Sequence, residues 1–507
     1  MSIDVRSMLE RNAAAMPDGV FVTFADGESW TRARGLAEAY RAARVLRAHG
    51  VGRGDRVAVF LDNGAGYLRA WWGTACLGAV LVPVNTALRG AMVDHLAALA
   101  RPAVLVSDTA VPEFGDLPTI TPATLAGGSA AAPELDEPIA PWELCSLNLT
   151  SGTTGRSKLS RTTYVQQLNG GMPFIDGWGQ GPADVFQADL PLFHLAASYQ
   201  VAACLATGTR IAVRDRPDLA NYWEVARHTG ATLALLVSSM VPFLLAQPER
   251  PAERQHGIRT MVAAPLPAAM TEFQQRFGVE HITTFYGSTE VSNCLGYSPG
   301  QPVVPGSCGT VRPGFGLRVA DEADVEVPVG QTGQLLVRHQ EPWKISCGYQ
   351  GDPETSAAAW RNGWFHTGDL FYRDEDGVYY FVDRATDSLR RRGENVSSAE
   401  VEAELLRCPG VAEAACVAVP AAADDDIKVW LVPDQGVELD LEKIFRTLAE
   451  SMAHFMVPRY LEVTDEMPRT PTARVRKYLL RERGNTASTW DSVAQGLVVT
   501  RAGLRER

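Results

Sequence analysis

Hydrophobic and polar positions follow two different periods along the first three quarters of the chain. The apolar runs 56–61 and 79–84 are typical of buried strands, whereas residues 37–48 and 67–77 show the spacing of amphipathic helices. The repeated order of strand, helix and strand predicts a mostly parallel sheet covered by helices. Later apolar runs predict further strands at 232–237, 281–285 and 333–338, the last of them in a more antiparallel region.

The pattern changes near residue 383. Residues 377–382 are the last strand pattern of the large part, and residues 397–406 combine early acidic positions with helical spacing. Two further strand patterns, at 411–419 and 426–432, predict a small α+β unit. We therefore predict an α/β protein with a large N-terminal domain of helix-covered, mostly parallel sheets plus a β subdomain (1–383), a small mobile α+β C-terminal domain (384–484) and a polar, loosely held tail (485–507).

Composition and charge narrow the class of protein. Of the 507 residues, 46% are hydrophobic and 21% are charged, which is ordinary for a globular protein. The longest apolar stretches, 71–84 and 231–246, are shorter than the ~20 residues of a membrane helix, and the N-terminus has no apolar signal core. The net charge of −12 argues against a general nucleic-acid or anionic-membrane surface, so any phosphate binding must be local. The eight cysteines form no C-x-x-C pair, which indicates reduced thiols in a cytoplasmic protein.

One loop carries most of the recognisable chemistry. Residues 149–158, Leu-Thr-Ser-Gly-Thr-Thr-Gly-Arg-Ser-Lys, crowd hydroxyls, glycines and one lysine together. Glycines let backbone N–H groups approach an anion, and the lysine adds a point charge, so the loop is suited to hold a polyphosphate. It lacks the spacing of the common P-loop, and a polar surface loop is the alternative.

Four further motifs follow this loop in a fixed order. They are 285–290 (Phe-Tyr-Gly-Ser-Thr-Glu), 364–370 (Trp-Phe-His-Thr-Gly-Asp-Leu), 383–396 (beginning Asp-Arg-Ala-Thr-Asp) and 468–477 (Pro-Arg-Thr-Pro-Thr-Ala-Arg-Val-Arg-Lys). The set resembles the adenylate-forming superfamily of acyl-CoA synthetases, luciferases and peptide-synthetase adenylation domains, over nearly the whole chain. The C-terminal third is most similar to the crotonobetaine/carnitine-CoA ligase-like branch, through residues 390–398.

The resemblance implies a reaction in two steps. An acid oxygen attacks the α-phosphorus of ATP, which gives a mixed anhydride with AMP and releases pyrophosphate. A second nucleophile, most often the thiol of CoA, then displaces AMP. ATP, Mg²⁺ and CoA are therefore the expected cofactor and co-substrates, and the expected partners are a small acid and an acceptor, with no nucleic acid and no membrane; the sequence leaves a homodimer open.

The resemblance also assigns roles to the motif residues. The β- and γ-phosphates would be held by Thr150, Ser151, Gly152, Thr153, Thr154 and Lys158. Adenine would lie between Tyr286 and the segment Ala263, Ala264 and Pro265, and Asp369 would accept hydrogen bonds from the ribose hydroxyls. Arg384 would reach the same sugar or the phosphate, and Gly287 and Thr289 complete the predicted ATP-binding residues. Glu290 would hold Mg²⁺, a hard cation that prefers carboxylate oxygen. Taken singly, Glu290 could cap a helix, Tyr286 could be a core residue, and Asp369 with Arg384 could be a structural ion pair.

Further roles in catalysis and domain motion follow in the same way. His194 stands where the family places a residue between the acid pocket and the α-phosphate, although a lone histidine can equally be a satisfied core residue. His194-Leu195 replaces the aspartate of amino-acid-activating relatives, which weighs against an α-amino acid substrate. Thr386 matches the hinge of the swivelling domain, and Gly393 would let the pantetheine arm of CoA pass.

Two departures from the family pattern bear on function. Arg474, after Ala473, stands where the family has its catalytic lysine; it keeps the charge but differs in shape, and Lys477 is a second candidate. Lys158 is followed by Leu-Ser-Arg-Thr-Thr where relatives have glycine and apolar residues. We expect a solvated strand end there, with an altered acid site as the alternative.

Three functions therefore remain open. The first is an ATP-dependent ligase that activates a small carboxylic acid and passes it to CoA. The second is an ATP-dependent diazotase that activates nitrite with AMP for reaction with an aryl amine, and the third is a relative that has lost catalysis. The acid pocket is expected around 174–176, 240–241 and 291–293, where Asp176 is expected to be a surface residue.

Overall fold

The computed structural model describes residues 3–86, 88, 90–150, 158–237, 240–264, 266, 269–298, 300–384, 389–391, 394–396, 398–419, 426–452, 454–469, 475–500 and 503–506. Predicted site residues 151–154, Pro265, Thr386, Gly393 and Arg474 lie outside these ranges. The side chain of Arg384 also lies outside the description.

The first sheet is parallel apart from one edge strand, as the alternating sequence pattern predicts. Its strand order is β13-β12-β11-β9-β10-β1-β2, and only the β1–β2 pair is antiparallel. Its strands are β1 (Val20–Phe24), β2 (Ser29–Thr31), β9 (Val185–Ala188), β10 (Arg210–Val213), β11 (Leu233–Val237), β12 (Thr260–Ala264) and β13 (His281–Thr283).

The second sheet has the order β6-β5-β3-β4-β7-β8, with β8 antiparallel to β7. Its strands are β3 (Arg56–Phe60), β4 (Val80–Pro83), β5 (Val104–Ser107), β6 (Thr119–Ile120), β7 (Leu144–Thr150) and β8 (Lys158–Thr163). β3 and β4 are buried along almost their whole length, because helices cover both faces.

Helices pack on and between these sheets. They are α1 (Val5–Ala15), α2 (Arg32–Ala48), α3 (Ala65–Cys76), α4 (Ala91–Ala100), α5 (Pro122–Ala126), α6 (Tyr164–Met172), α7 (Leu195–Thr207), α8 (Tyr222–Thr229), α9 (Met240–Leu245) and α10 (Met270–Phe277), with a π-helical turn at Pro173–Gly177 and 3₁₀ turns at Pro112–Phe114 and Pro251–Arg254. α2 begins where the Thr31 hydroxyl accepts from Arg34 N, 3.1 Å away, and it packs closely on α3. A Cβ on Gly73 of α3 would lie 2.5 Å from Ala42 Cβ, so glycine permits this contact.

A mainly antiparallel β region follows, also as predicted. One small sheet has the order β14-β15-β16, and a larger one has the order β17-β18-β20-β19 with β21 on β20. The strands are β14 (Phe285–Ser288), β15 (Ser292–Gly296), β16 (Thr310–Val311), β17 (Phe315–Ala320), β18 (Gly333–His339), β19 (Trp360–Arg361), β20 (Trp364–Arg373) and β21 (Tyr379–Arg384); α11 (Pro353–Ala359) precedes β19.

The C-terminal unit has its own sheet and its own core. The strands are β22 (Leu389–Arg391), β23 (Glu394–Val396), β24 (Val411–Val419), β25 (Asp426–Pro433), β26 (Tyr460–Val463), β27 (Trp490–Asp491), β28 (Leu497–Thr500) and β29 (Gly503–Glu506), and the helices are α12 (Ser398–Leu405), α13 (Leu441–Ser451) and α14 (Lys477–Arg483). Because β27 pairs with β26, and Leu497 and Val499 are buried in this core, the prediction of a loosely held tail is wrong. The limits of the three predicted domains stay a prediction.

The predicted α/β fold class is confirmed, with parallel-containing sheets and a separate C-terminal unit. The eight cysteines are free thiols. Among the described residues, every helix is too short or too polar to span a lipid bilayer.

Candidate active site

The strand order of the first sheet reverses at the carboxyl ends of β9 and β11. The chain leaves β9 for β10 on one side and leaves β11 for β12 on the other side. The helices that follow these two strands, α7 and α9, belong to different core clusters on opposite faces of the sheet. In α/β sheets a ligand crevice lies at such a reversal of strand order. His194 follows β9, and Val237 ends β11, so both lie at this edge.

Asn63 fixes the segment that leads to His194. Its Nδ2 donates to Leu190 O (2.9 Å) and Arg214 O (3.0 Å), and its Oδ1 accepts from Leu192 N (2.8 Å). Asn63 follows β3 of the second sheet, so one amide joins the carboxyl edges of both sheets. His194 itself is half-buried at the start of α7, with its ring 4.7 Å from that of Phe193. It is therefore not a fully buried core histidine.

A tyrosine that the sequence did not single out connects two predicted site residues. Lys158 Nζ lies 5.0 Å from the centroid of the Tyr349 ring, and Tyr349 OH donates to Glu290 Oε1 over 3.1 Å. Burial, and then the nearby Glu290 carboxylate, raises the pKa of Tyr349, so the phenol keeps its proton and acts as the donor. We call these three side chains the Lys158–Tyr349–Glu290 bridge.

Glu290 is held from several directions. Its Oε2 accepts from Ser288 Oγ (2.9 Å), and its main-chain oxygen accepts from Ser346 N (2.7 Å). Gln166 Nε2, fully buried at the start of α6, donates to Thr289 O (2.9 Å) and Glu290 O (3.4 Å). Glu290 lies in the turn between β14 and β15, so it is not a helix cap.

The surroundings of Glu290 suit a magnesium ion. Both carboxylate oxygens accept hydroxyl donors, and each keeps lone-pair capacity for a cation. Within the described ranges Glu290 forms no ion pair, and no group of three or more histidine, cysteine or carboxylate side chains comes together. Mg²⁺ is usually held by one or two carboxylates together with water and substrate phosphates, so a lone carboxylate fits it better than a protein cage would.

Tyr286 and Asp369 meet beside this position. The Tyr286 hydroxyl donates to Asp369 Oδ2, and Asp369 is 1% exposed. The Tyr286 ring packs edge-on against Phe371, at 4.7 Å between centroids. Asp369 faces Arg384 in the β20–β21 ladder, so the backbone brings these two predicted residues together.

Glycine is required between Tyr286 and Glu290. A Cβ on Gly287 would collide with Ser292 O and would lie 2.7 Å from Asn293 Oδ1. Thr150 ends β7, and its hydroxyl donates to Lys158 O over 3.4 Å, which closes the two ends of the predicted phosphate loop. At the end of β12, Ala263 is fully buried among apolar side chains and Ala264 is half-buried.

The residues expected around the acid include both apolar and polar side chains. Phe174 and Phe285 pack edge-on, with their centroids 6.1 Å apart. Among the polar ones, Asn293 Nδ2 donates to Gly170 O (2.6 Å), and Tyr199 OH lies 3.4 Å from Ser292 Oγ. A Cβ on Gly170 would collide with the Tyr199 ring, so α6 and α7 are in direct contact here. Asp176 is exposed, which confirms the expectation of a surface residue.

The strand after Lys158 is buried, so the prediction of a solvated strand end is wrong. Ser160, Thr162 and Thr163 are each 0% exposed. Ser160 Oγ donates to Ser346 Oγ (2.9 Å), and Thr163 Oγ1 donates to Trp343 O (2.8 Å). On the other side, Asn148 Nδ2 donates to Thr162 Oγ1 (2.9 Å). Two of these hydroxyls bind partners from a segment nearly two hundred residues later, which the local sequence cannot reveal.

Lys477, the second candidate for the catalytic cation, is already engaged. Its Nζ donates to Ser398 Oγ (2.6 Å) and pairs with Glu402 Oε1 (2.9 Å). Glu402 Oε1 also accepts from Cys416 N (2.7 Å), so this ammonium ties α14 to α12 and β24.

Family models match both parts of the chain. Residues 9–349 match the model of the AMP-binding enzymes, and residues 400–474 match the model of the AMP-binding enzyme C-terminal domain. The chain belongs to the AMP-binding enzyme family. The resemblance carried by the five motifs is thereby confirmed, and the family together with the acyl-CoA ligases described next indicates an ATP-dependent, AMP-forming ligase. The chain is therefore such a ligase, and the hypothesis of a non-catalytic relative is set aside.

Individual members of the family agree in sequence and structure. A crotonobetaine/carnitine–CoA ligase of Citrobacter koseri is 30% identical over 88% of this chain and 91% of its own length. One of Salmonella paratyphi C is 27% identical over 94% of this chain and 99% of its own. The ATP-bound MatB of Rhodopseudomonas palustris superposes with a TM-score of 0.85 at 26% identity, over 95% of this chain and 99% of MatB. The predicted crotonobetaine/carnitine-CoA ligase-like branch is confirmed by these relatives.

Proposed function

We propose that this chain converts a small carboxylic acid and ATP to an acyl-adenylate and pyrophosphate, and then transfers the acyl group to the thiol of CoA. The observation that carries the proposal is the set of contacts that joins Lys158 through Tyr349 to Glu290, beside the Tyr286–Asp369 pair. These side chains come from separate segments of the chain. The names of the crotonobetaine/carnitine–CoA ligases support CoA as the acceptor.

In the first step, Lys158 and the loop 151–154 bind the β- and γ-phosphates, and Asp369 with Arg384 binds the ribose. A carboxylate oxygen of the acid attacks the α-phosphorus, the bond from that phosphorus to the bridging oxygen breaks, and pyrophosphate leaves with the negative charge. Mg²⁺, when bound at Glu290, would neutralise part of the phosphate charge. His194 lies between the acid and the α-phosphate in this proposal. Positioning and charge stabilisation supply most of the acceleration.

Arg474 is the proposed C-terminal cation of this step. The engagement of Lys477 with Ser398 and Glu402 supports this choice, because its charge is already compensated inside the C-terminal unit. In the second step the CoA sulfur attacks the acyl carbon and AMP leaves. Three expectations stay predictions. They are Thr386 as the hinge between the two steps, Gly393 beside the pantetheine arm, and a homodimer.

The test measures pyrophosphate release with ATP and Mg²⁺ across a panel of carboxylic acids with CoA, and of nitrite with aryl amines. We expect release and a thioester product with one class of carboxylic acid. Turnover that depends on nitrite and an aryl amine would replace the ligase with the diazotase.

Two variants test the residue assignments in the same assay. Glu290→Gln should lower pyrophosphate release at least about 100-fold, by loss of a charge aimed at the metal that binds the phosphates. Glu341→Gln is the matched control, because Glu341 is exposed and pairs with the nearby Lys344. Arg474→Ala should slow adenylate formation; if it slows only thioester formation, the role of Arg474 is misassigned.

A further inference from the structure

Tyr349 stands between two opposite charges that do not meet. Its ring faces the Lys158 ammonium, and its hydroxyl binds the Glu290 carboxylate. Across the described part of the chain, Lys158 and Glu290 form no ion pair with each other. A direct pair would compensate both charges, whereas a phosphate-binding cation and a metal-binding anion each need their charge available to the ligand.

The position of Tyr349 is fixed by the strand that carries Lys158. Tyr349 forms an antiparallel bridge with Ser160, and Gln350 N donates to Leu159 O (2.8 Å). Tyr349 N also donates to Ser356 Oγ (2.8 Å), at the start of α11. The backbone that carries the ring is thus held from two sides, so it keeps its place whether or not Lys158 or Glu290 binds a ligand.

The two ends of the side chain act by different physics. The face of an aromatic ring attracts an ammonium electrostatically, without neutralising its formal charge. A phenol that donates to a carboxylate orients it and leaves its other lone pairs free for a cation. With Ser288 Oγ on Oε2 and Tyr349 OH on Oε1, the rotamer of Glu290 is set before any ligand binds.

We propose that Tyr349 is a positioning residue that keeps Lys158 and Glu290 apart and aligned, so that both act on the polyphosphate of one ATP. The ring acts as the spacer for the lysine, and the hydroxyl acts as the support for the metal-binding carboxylate. This inference rests on the proposed function, since it takes ATP as the ligand of the site.

The experiment measures the dissociation constant of ATP by calorimetry, once with excess Mg²⁺ and once in EDTA. Tyr349→Phe keeps the ring and removes the hydroxyl, so binding with Mg²⁺ should weaken about tenfold while binding in EDTA changes less than about twofold. Tyr349→Leu also removes the ring, so binding in EDTA should weaken about two- to fivefold as well. Without the ring, Lys158 is free to pair directly with Glu290. Adding Glu290→Gln to Tyr349→Leu removes that carboxylate, so the binding of ATP in EDTA should be restored.

Tyr380→Phe is the matched control. Tyr380 OH donates to a carboxylate in the same way, over 2.9 Å to Asp374 Oδ2, but it lies on β21 and its ring stacks on Tyr372. Tyr380→Phe should bind ATP as the wild type does. Tyr349→Phe preserves the packing of the ring, so the role of the hydroxyl is tested even if Tyr349→Leu does not fold.

The possible outcomes distinguish a failure of the positioning role from a failure of the proposed function. Suppose that the wild-type chain binds ATP and that Tyr349→Phe keeps the wild-type ratio between the ATP dissociation constants with Mg²⁺ and in EDTA. The positioning role is then overturned and the proposed function stands. The positioning role is also overturned if Tyr380→Phe shows an equal loss, or if Glu290→Gln fails to restore binding to Tyr349→Leu. If the wild-type chain does not bind ATP under either condition, the proposed function itself is overturned.

Discussion

A buried ion pair in the C-terminal unit allows a quantitative test of the structure. The side chains of Lys428 and Glu462 are 0% and 4% exposed, and Lys428 Nζ lies 2.5 Å from Glu462 Oε2. The same ammonium donates to Gly484 O (2.5 Å) and Thr489 Oγ1 (3.2 Å). The change Lys428→Met keeps most of the buried stem and removes the charge, which leaves a buried carboxylate without its cation. Breaking such a pair costs about 3–5 kcal/mol.

The pH dependence of that loss has a definite sign. Burial alone would raise the pKa of Glu462, but hydrogen bonds from Lys428 and three hydroxyls hold that pKa below the usual range. In the wild type this carboxylate therefore adds stability above its unfolded pKa of about 4.3, and the gain is lost as the pH falls through the lower folded value. In Lys428→Met only the three hydroxyls still oppose burial, so we expect the folded pKa of Glu462 to rise and the stability that this carboxylate adds above pH ~4.3 to be lost. The difference between the two proteins should be largest near pH 8 and smallest near pH 4.

Native-state hydrogen exchange in β25 and β26 measures the relevant free energy of opening, because a chain with several units does not unfold in a single step. We expect Lys428→Met to lower it by about 3–5 kcal/mol at pH 7.5. The double variant Lys428→Met/Glu462→Gln should recover most of that loss, since it buries no charge. A loss that does not change with pH, or a double variant worse than Lys428→Met alone, would refute the reasoning.

Three further predictions concern single side chains. Gln166→Leu removes the donor of the Thr289 carbonyl, so the free energy of opening measured by hydrogen exchange in β14 and β15 should fall by about 1–3 kcal/mol; an unchanged value would contradict the contact. Burial raises the pKa of Asp189 to about 6, so the protonated carboxyl group contributes its full share of folding stability below the unfolded pKa of about 3.9. That stability is lost as the pH rises through 6. Asp189→Asn should therefore stabilise the chain at pH 8, by up to about 3 kcal/mol, and by about half as much at pH 5; an equal effect at both would exclude this titration. Lys477→Met should leave adenylate formation within about threefold and loosen α14, as hydrogen exchange would report; a much larger loss of adenylate formation would return Lys477 to the catalytic role.

The sequence predicts the helices and strands well where a local period decides them. The apolar run at 56–61 corresponds to β3 (Arg56–Phe60), and the helical spacing at 397–406 corresponds to α12 (Ser398–Leu405). It also places Lys158, Tyr286, Glu290 and Asp369 in motifs whose spacing is specific. These are properties of short segments, so one sequence suffices to find them.

The sequence does not predict what depends on distant contacts. Nothing near Ser160 shows that its hydroxyl meets Ser346, and nothing near Lys477 shows that Glu402 compensates its charge. Tyr349 was missed for the same reason. Its only local signal is an aromatic residue after Gly348 and just before the Asp352-capped start of α11, which places it at a junction with a helix.

The hydroxyls buried along β8 have a consequence for how reliably the chain reaches this structure. Because side chains alternate in direction along a strand, a shift of β8 by one residue would turn Ser160 and Thr162 away from their partners and would move Lys158, on the same face, away from Tyr349. Such a shift would leave buried hydroxyl groups without hydrogen-bond partners and is strongly disfavoured. Ser160 and Thr163 thus fix the alignment of β8 against residues 343–350, and a strand that is correctly aligned has already placed its lysine over Tyr349. Errors in pairing and errors in site geometry are therefore excluded by the same side chains.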